Sequence, residues 1–222
     1  MNKRIMAYIS PIVLILVCHL FVVFLYKIVG QWIFAPAFIL YWGLSALIVF
    51  KLTGFYYIKK LFIKPIGKIG WSILSIIVGF LPLPIILSNT SIITIPLMLL
   101  SVLFAIINPF FEELYWRGFV LDNTFRSKLI SSIYSSILFL LSHLFIWGIF
   151  SYGNRNLYLF VSLTIMSIAW CIVRIKTKSL WLCIISHIFV DLFNLLVFVM
   201  LNIYIPEKGF IPQLDFILGV IQ

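Results

Sequence analysis

Apolar residues run along the chain in long stretches, and short clusters of basic residues separate them. A bilayer crossing needs about 20 predominantly apolar residues, with a working range of about 17–25. Seven stretches qualify: roughly 6–28, 32–50, 71–87, 92–116, 130–150, 157–173 and 180–203. They predict an all-α fold, a polytopic transmembrane helix bundle with about seven spans, in a single integral membrane domain over residues 1–222. The first stretch follows Lys3 and Arg4 as a signal peptide would, but its length and the lack of a clear cleavage site mark it as a retained helix. Gly79, Pro82 and Pro84 predict a kink in the third. Residues 51–70 mix Lys with Phe55, Tyr56, Tyr57, Leu61 and Phe62, the composition of an interfacial helix or loop. After Pro206 the apolar patch from Phe216 to Ile221 is too short to span, and predicts an eighth, short or re-entrant element.

Composition sharpens this picture. The 222 residues are 64% apolar and only 10% charged, whereas a soluble domain carries about 25% charged residues. A water-soluble globule is thereby excluded. The formal charge of +10 does not indicate nucleic acid, because the basic residues form no continuous face and sit in loops suited to anionic lipid. Cys18, Cys171 and Cys183 all lie in apolar stretches, an odd set that reads as small packing residues rather than a disulfide framework. With the amino terminus in the cytoplasm and the spans alternating, twelve Lys and Arg fall inside and three outside, with Arg117 left at the end of the fourth span. That bias predicts a cytoplasmic N-terminus and an outer C-terminus. The Ile- and Lys-rich composition suggests a bacterial cytoplasmic membrane.

Only six acidic residues occur, and two of them, Glu112 and Glu113, are adjacent inside an apolar stretch. Ionisable residues within a span are costly and usually functional. They arrive here in three patterns on three spans. In Glu112-Glu113-Leu-Tyr-Trp-Arg117, Glu113 and Arg117 are four apart and share a helix face, while Glu112 points about 100° away. Glu113 can neutralise Arg117, and Glu112 is left without an intrahelical cation, free to take and return a proton. A salt bridge at the helix end would account for Glu113 and Arg117 but not for Glu112. The second pattern sets Phe139 one turn before His143, a histidine that could simply bond a neighbouring carbonyl. The third sets His187 one turn before Asp191, with Asn194 extending the polar stripe. There the aspartate could orient the histidine, join it on a metal, or merely hold two helices together.

Depth offers an independent check. Counted from the basic ends of their spans, Glu112 and His187 both lie about 14 Å deep and His143 nearer 22 Å. The three are expected to line one cavity opening to the cytoplasm. His19, with no carboxylate near it in sequence, reads as a satisfied packing histidine.

Three motifs in this order, EExxxR, FxxxH and HxxxD, resemble those of the CAAX prenyl protease and bacteriocin-processing family (CPBP, or Abi), whose usual third motif is HxxxN. The resemblance covers roughly residues 92–200, which would be the catalytic core. It implies an intramembrane endopeptidase that attacks a peptide bond with a Glu-activated water. Carried over residue by residue, Glu112 would be the base, His143 would hold the water, and His187 with the residue at 191 would stabilise the oxyanion. Glu113 and Arg117, with Phe139 and Asn194, would support the site. Asp191 departs from the family's asparagine: an amide donates to an oxyanion, and an ionised carboxylate repels one. Members have been described as metal-dependent and as metal-independent glutamate proteases. A glutamate mechanism without cofactor is the expectation, since no HExxH pair is present; a zinc ion, if bound, would fall to Glu112, His143, His187 and Asp191.

The expected partners are a peptide or membrane-protein substrate and the lipid bilayer, with no nucleic acid. Two other readings use the same residues. One is a bacteriocin immunity or regulatory membrane protein that binds without proteolysis. The other is a proton-coupled carrier, which lacks support from any repeat or Gly-broken helix pair.

Overall fold

The computed structural model describes residues 2–206. The patch from Phe216 to Ile221, and with it the eighth element and the side of the C-terminus, lies outside the described residues. Among the described residues the chain is helical, with no strand. Helices α1 (Lys3–Val29) and α2 (Phe34–Thr53) pack against each other across the 3-10 turn Gly30–Ile33. Gly30 there has a φ of 60°, a left-handed value that glycine adopts without a Cβ clash. Together they form one apolar run of 51 residues, about 75 Å at helical rise and therefore enough for two crossings.

The predicted interfacial segment contains α3 (Phe55–Leu61), with Phe55 and Tyr56 exposed and the Lys60 ammonium 4.4 Å over the Tyr56 ring. The predicted kink falls between α4 (Ile69–Phe80) and α5 (Leu83–Ser88), where Pro82 has no N–H to continue the ladder. Then come α6 (Ile95–Glu113), a π-helix (Leu114–Val120), the short α7 (Leu121–Asn123), α8 (Lys128–Phe145) and α9 (Leu157–Thr177). Ser127 and Asn156 cap α8 and α9 through their side chains, meeting backbone donors that a helix start leaves unpaired.

The last predicted span, 180–203, is not one helix. It divides into α10 (Trp181–Phe193) and α11 (Leu196–Met200), because Leu195 adopts a left-handed φ of 56°. Ser101 accepts the Val197 N–H at 3.2 Å and satisfies a donor that the break exposes. Among the described residues, five helical runs are long and apolar enough to cross a membrane, the first containing both α1 and α2, and α10 is a shorter apolar helix. The seven stretches thus reappear as a bundle, and the chain is an integral membrane protein.

Helix α10 packs between α4 and α6. Contact with α4 is close at Gly79, where an added Cβ would come within 3.1 Å of the Ser186 carbonyl oxygen. At the basic end, Asp122 gathers Arg174 at 2.7 Å, Lys128 at 3.3 Å and the Tyr57 hydroxyl at 3.2 Å. Tyr57 also donates to the Gly118 carbonyl at 2.6 Å. Burial, with the Asp122 carboxylate beside it, pushes the Tyr57 phenol well above its ordinary value, so it stays a donor. The three cysteines are buried and unpaired, as packing residues should be. His19 bonds the Phe145 carbonyl oxygen at 2.7 Å, and so has the satisfied role expected of it.

Candidate active site

Glu112 and Glu113 close α6, and both are buried. The ordinary helix stops there. Residues 114–120 form the π-helix, so the uniform 100° step assumed from sequence does not hold through Leu-Tyr-Trp-Arg. Glu113 and Arg117 nonetheless meet, with Arg117 Nη1 donating to Glu113 Oε1 at 3.1 Å. This pair has no exposed surface. Arg117 Nη2 donates to Ser167 Oγ at 2.8 Å, and its guanidinium lies 4.3 Å over the Phe139 ring. Phe139 therefore supports Arg117 as well as touching the His143 ring edge-on at 4.5 Å.

The Glu113 Oε1 that takes Arg117 also accepts from His187 Nδ1 at 2.9 Å. The imidazole stacks on Trp170 at 4.4 Å. Its other nitrogen, Nε2, lies 3.5 Å from Glu112 Oε2 and 3.4 Å from Asp191 Oδ1. Neither Glu112 oxygen has a hydrogen-bond partner among the described residues. Three carboxyl groups and one permanent cation thus meet one imidazole in an apolar interior.

Asp191 Oδ2 accepts from Asn108 Nδ2 at 3.0 Å, and Asn108 Oδ1 accepts from Trp42 Nε1 at 2.9 Å. His143 Nδ1 donates to the Phe139 carbonyl oxygen at 3.0 Å, which leaves Nε2 as the acceptor of the neutral ring. His143, His187, Asp191 and Asn194 share the wall of one cavity of about 770 Å³. Asn194 does so from beyond the last residue of α10 rather than as a further turn of a helical stripe. Glu112 is not part of this wall; it stands behind His187.

The cavity corrects one expectation. Its rim includes Leu81, Tyr158, Ile203 and Ile205, all exposed. These residues lie at the ends of the spans away from Lys51–Lys68, Arg126–Lys128 and Arg174–Lys178. The cavity opens at the end opposite the basic clusters, not towards them as expected. The break at Leu195 returns α11 to the cavity wall, which an unbroken seventh span would not do.

Reasoning from sequence missed Asn108, Trp42 and Ser167, and it gave Glu113 one partner where there are two. Asn108 carried a usable signal, an amide inside an apolar stretch one turn before Glu112. Trp42 carried none, because a tryptophan in a span reads as packing. Among the described residues, no group of three or more His, Cys, Asp or Glu side chains is arranged to hold a metal ion.

Residues 94–193, which run from the start of α6 to the end of α10, match the family model described as type II CAAX prenyl endopeptidase Rce1-like. The matched segment resembles an Rce1-like CAAX protease domain, as the three motifs implied, in a chain whose apolar helices are long enough to cross a membrane. That domain supports a CAAX-protease-like function. No curated protein and no solved structure matches the chain.

Proposed function

We propose that the chain is an intramembrane endopeptidase that hydrolyses a peptide bond with a water activated by Glu112. The observation that carries this reading is the state of Glu112. It is a buried carboxylate with neither oxygen hydrogen-bonded among the described residues, 3.5 Å from a histidine on a cavity wall. His143, through Nε2, holds the water, and Glu112 removes a proton as the oxygen attacks the substrate carbonyl. His187 donates to the resulting oxyanion, and Asp191 orients the imidazole rather than facing the oxyanion itself. Glu112 then returns its proton to the leaving amine, so that a carboxylic acid and an amine are released and the base is restored. No step passes through a metal. With the basic end in the cytoplasm, a peptide or membrane-protein segment would reach this cavity from the outer side of the bilayer.

The position of Glu112 behind the wall favours a second reading, a binding or immunity protein in which the cluster only holds helices together. A quenched peptide library, cleaved by purified protein with and without a strong chelator and beside Glu112→Ala, separates the two. Chelator-insensitive cleavage lost in the variant is the expected result. Cleavage retained by Glu112→Ala would overturn the assignment of the base. A biological phenotype that survives both Glu112→Gln and His187→Ala at normal protein levels would establish the binding reading.

A further inference from the structure

Histidine 187 is gripped at both ring nitrogens. On the Nδ1 side the grip runs through Glu113 to Arg117, residues that the motifs already mark. On the Nε2 side it runs through Asp191 to Asn108 and ends at Trp42, on α2. Trp42 lies outside the matched segment.

The chemistry of this second chain runs in one direction. An indole N–H can only donate. Trp42 therefore fixes Asn108 Oδ1 as the atom it meets at 2.9 Å, and the amide nitrogen is turned to Asp191. An amide nitrogen can only donate, so Asp191 Oδ2 is held as its acceptor and Oδ1 is left facing His187. If the amide flipped, its oxygen would oppose the Asp191 carboxylate and its nitrogen would oppose the indole N–H, and both contacts would be lost. Asn108 and Asp191 are buried, so water does not replace a missing partner cheaply. Trp42 is itself held by its ring, stacked on Phe111 at 5.6 Å.

We infer that Trp42 and Asn108 are positioning residues for the reaction, setting the orientation of Asp191 and through it the angle of the His187 imidazole. This inference rests on the peptidase reading for its kinetic consequence, but not for its structural one. The chain also gives the amino-terminal pair of spans a task beyond anchoring.

The test uses the full-length protein in detergent, with Trp42→Phe, Asn108→Leu, Asp191→Ala and the double variants carrying Asp191→Ala. Trp42→Phe keeps the stacked ring and removes only the N–H. We expect kcat to fall about tenfold in Trp42→Phe and further in Asn108→Leu, with KM nearly unchanged. In the Asp191→Ala background both changes should lose their effect, because the group they act through is gone. A merely structural role would instead lower activity by the same factor in every background. A second readout needs no activity. The modification rate of His187 by diethyl pyrocarbonate, followed by peptide mass, should rise several-fold when the chain is cut at Trp42 or Asn108. If the parent cleaves nothing and the labelling still rises, proteolysis is refuted and the positioning stands. Unchanged labelling, or cleavage losses that are the same with and without Asp191, would overturn the positioning role.

Discussion

Removal of the Arg117 side chain isolates the energetic role of the buried pair. In Arg117→Met the apolar volume is largely kept while the charge disappears. Glu113 is then left fully buried with His187 Nδ1 as its one remaining hydrogen-bond donor among the described residues, Ser167 loses its 2.8 Å partner, and the cation over Phe139 is gone. Breaking a buried ion pair from one side costs about 3–5 kcal/mol, because the other charge stays desolvated. Arg117→Met should therefore lose about 3–5 kcal/mol of unfolding free energy. Combining it with Glu113→Gln removes the stranded charge, while the new amide oxygen still accepts from His187. The double variant should recover at least half of the loss, since neutral replacements of buried pairs are often well tolerated. Titration with SDS against mixed micelles, followed by the fluorescence of the seven tryptophans, measures all three proteins. The reasoning fails if the single variant loses less than about 1 kcal/mol, or if the double variant is as unstable as the single.

Three further outcomes are expected. Gly79→Val drives a side chain into the Ser186 backbone and should cost about 1–3 kcal/mol in the same titration; a neutral result would mean that α4 and α10 separate freely. Tyr57→Phe loses hydrogen bonds to Gly118 and Asp122, worth about 1 kcal/mol near neutral pH. Because the folded phenol is raised, its contribution is present below about pH 10 and lost as pH climbs further. Denaturant curves on both proteins should thus converge at high pH, and a gap that widens there would contradict the assignment. His143→Ala should lower kcat by about 10²-fold or more while leaving unfolding within about 1 kcal/mol, as read by peptide cleavage and SDS titration.

Much of the site was legible because helical spacing and burial cost act locally. Glu113 with Arg117, and His187 with Asp191, are neighbours one turn apart, and any helical path through those residues brings each pair together. Equal depth also put Glu112 and His187 at one level, and they are 3.5 Å apart. What stayed hidden depends on distant partners. Asn108 meets Asp191 from 83 residues away, and Trp42 meets Asn108 from 66; neither separation has a period to betray it. The seven apolar stretches gave the span count, but hydropathy does not register the left-handed Leu195, which cut the last of them. The direction of the cavity escaped for a related reason. Its mouth is made by helix breaks at Pro82 and Leu195 and by the turn after α8, and average apolarity is blind to such irregular backbone.

The π-helix from Leu114 to Val120 sets a limit on chain length as well as on shape. Its wider turns loosen the carbonyl ladder, and two of its carbonyls are taken by side chains from elsewhere, Trp116 O by Ser135 and Gly118 O by Tyr57. Trp116 Nε1 donates to Tyr41 at 2.7 Å, and an added Cβ on Gly118 would stand 2.9 Å from the Leu61 side chain. Loss of a single residue here would tighten this wider turn towards an ordinary α-helical one, and the groups that now meet Tyr41, Ser135, Tyr57 and Leu61 would shift away from them together. Helix ends and loops ordinarily absorb insertions and deletions. Directly after the paired glutamates, the chain length is set instead by what these carbonyls and rings must reach.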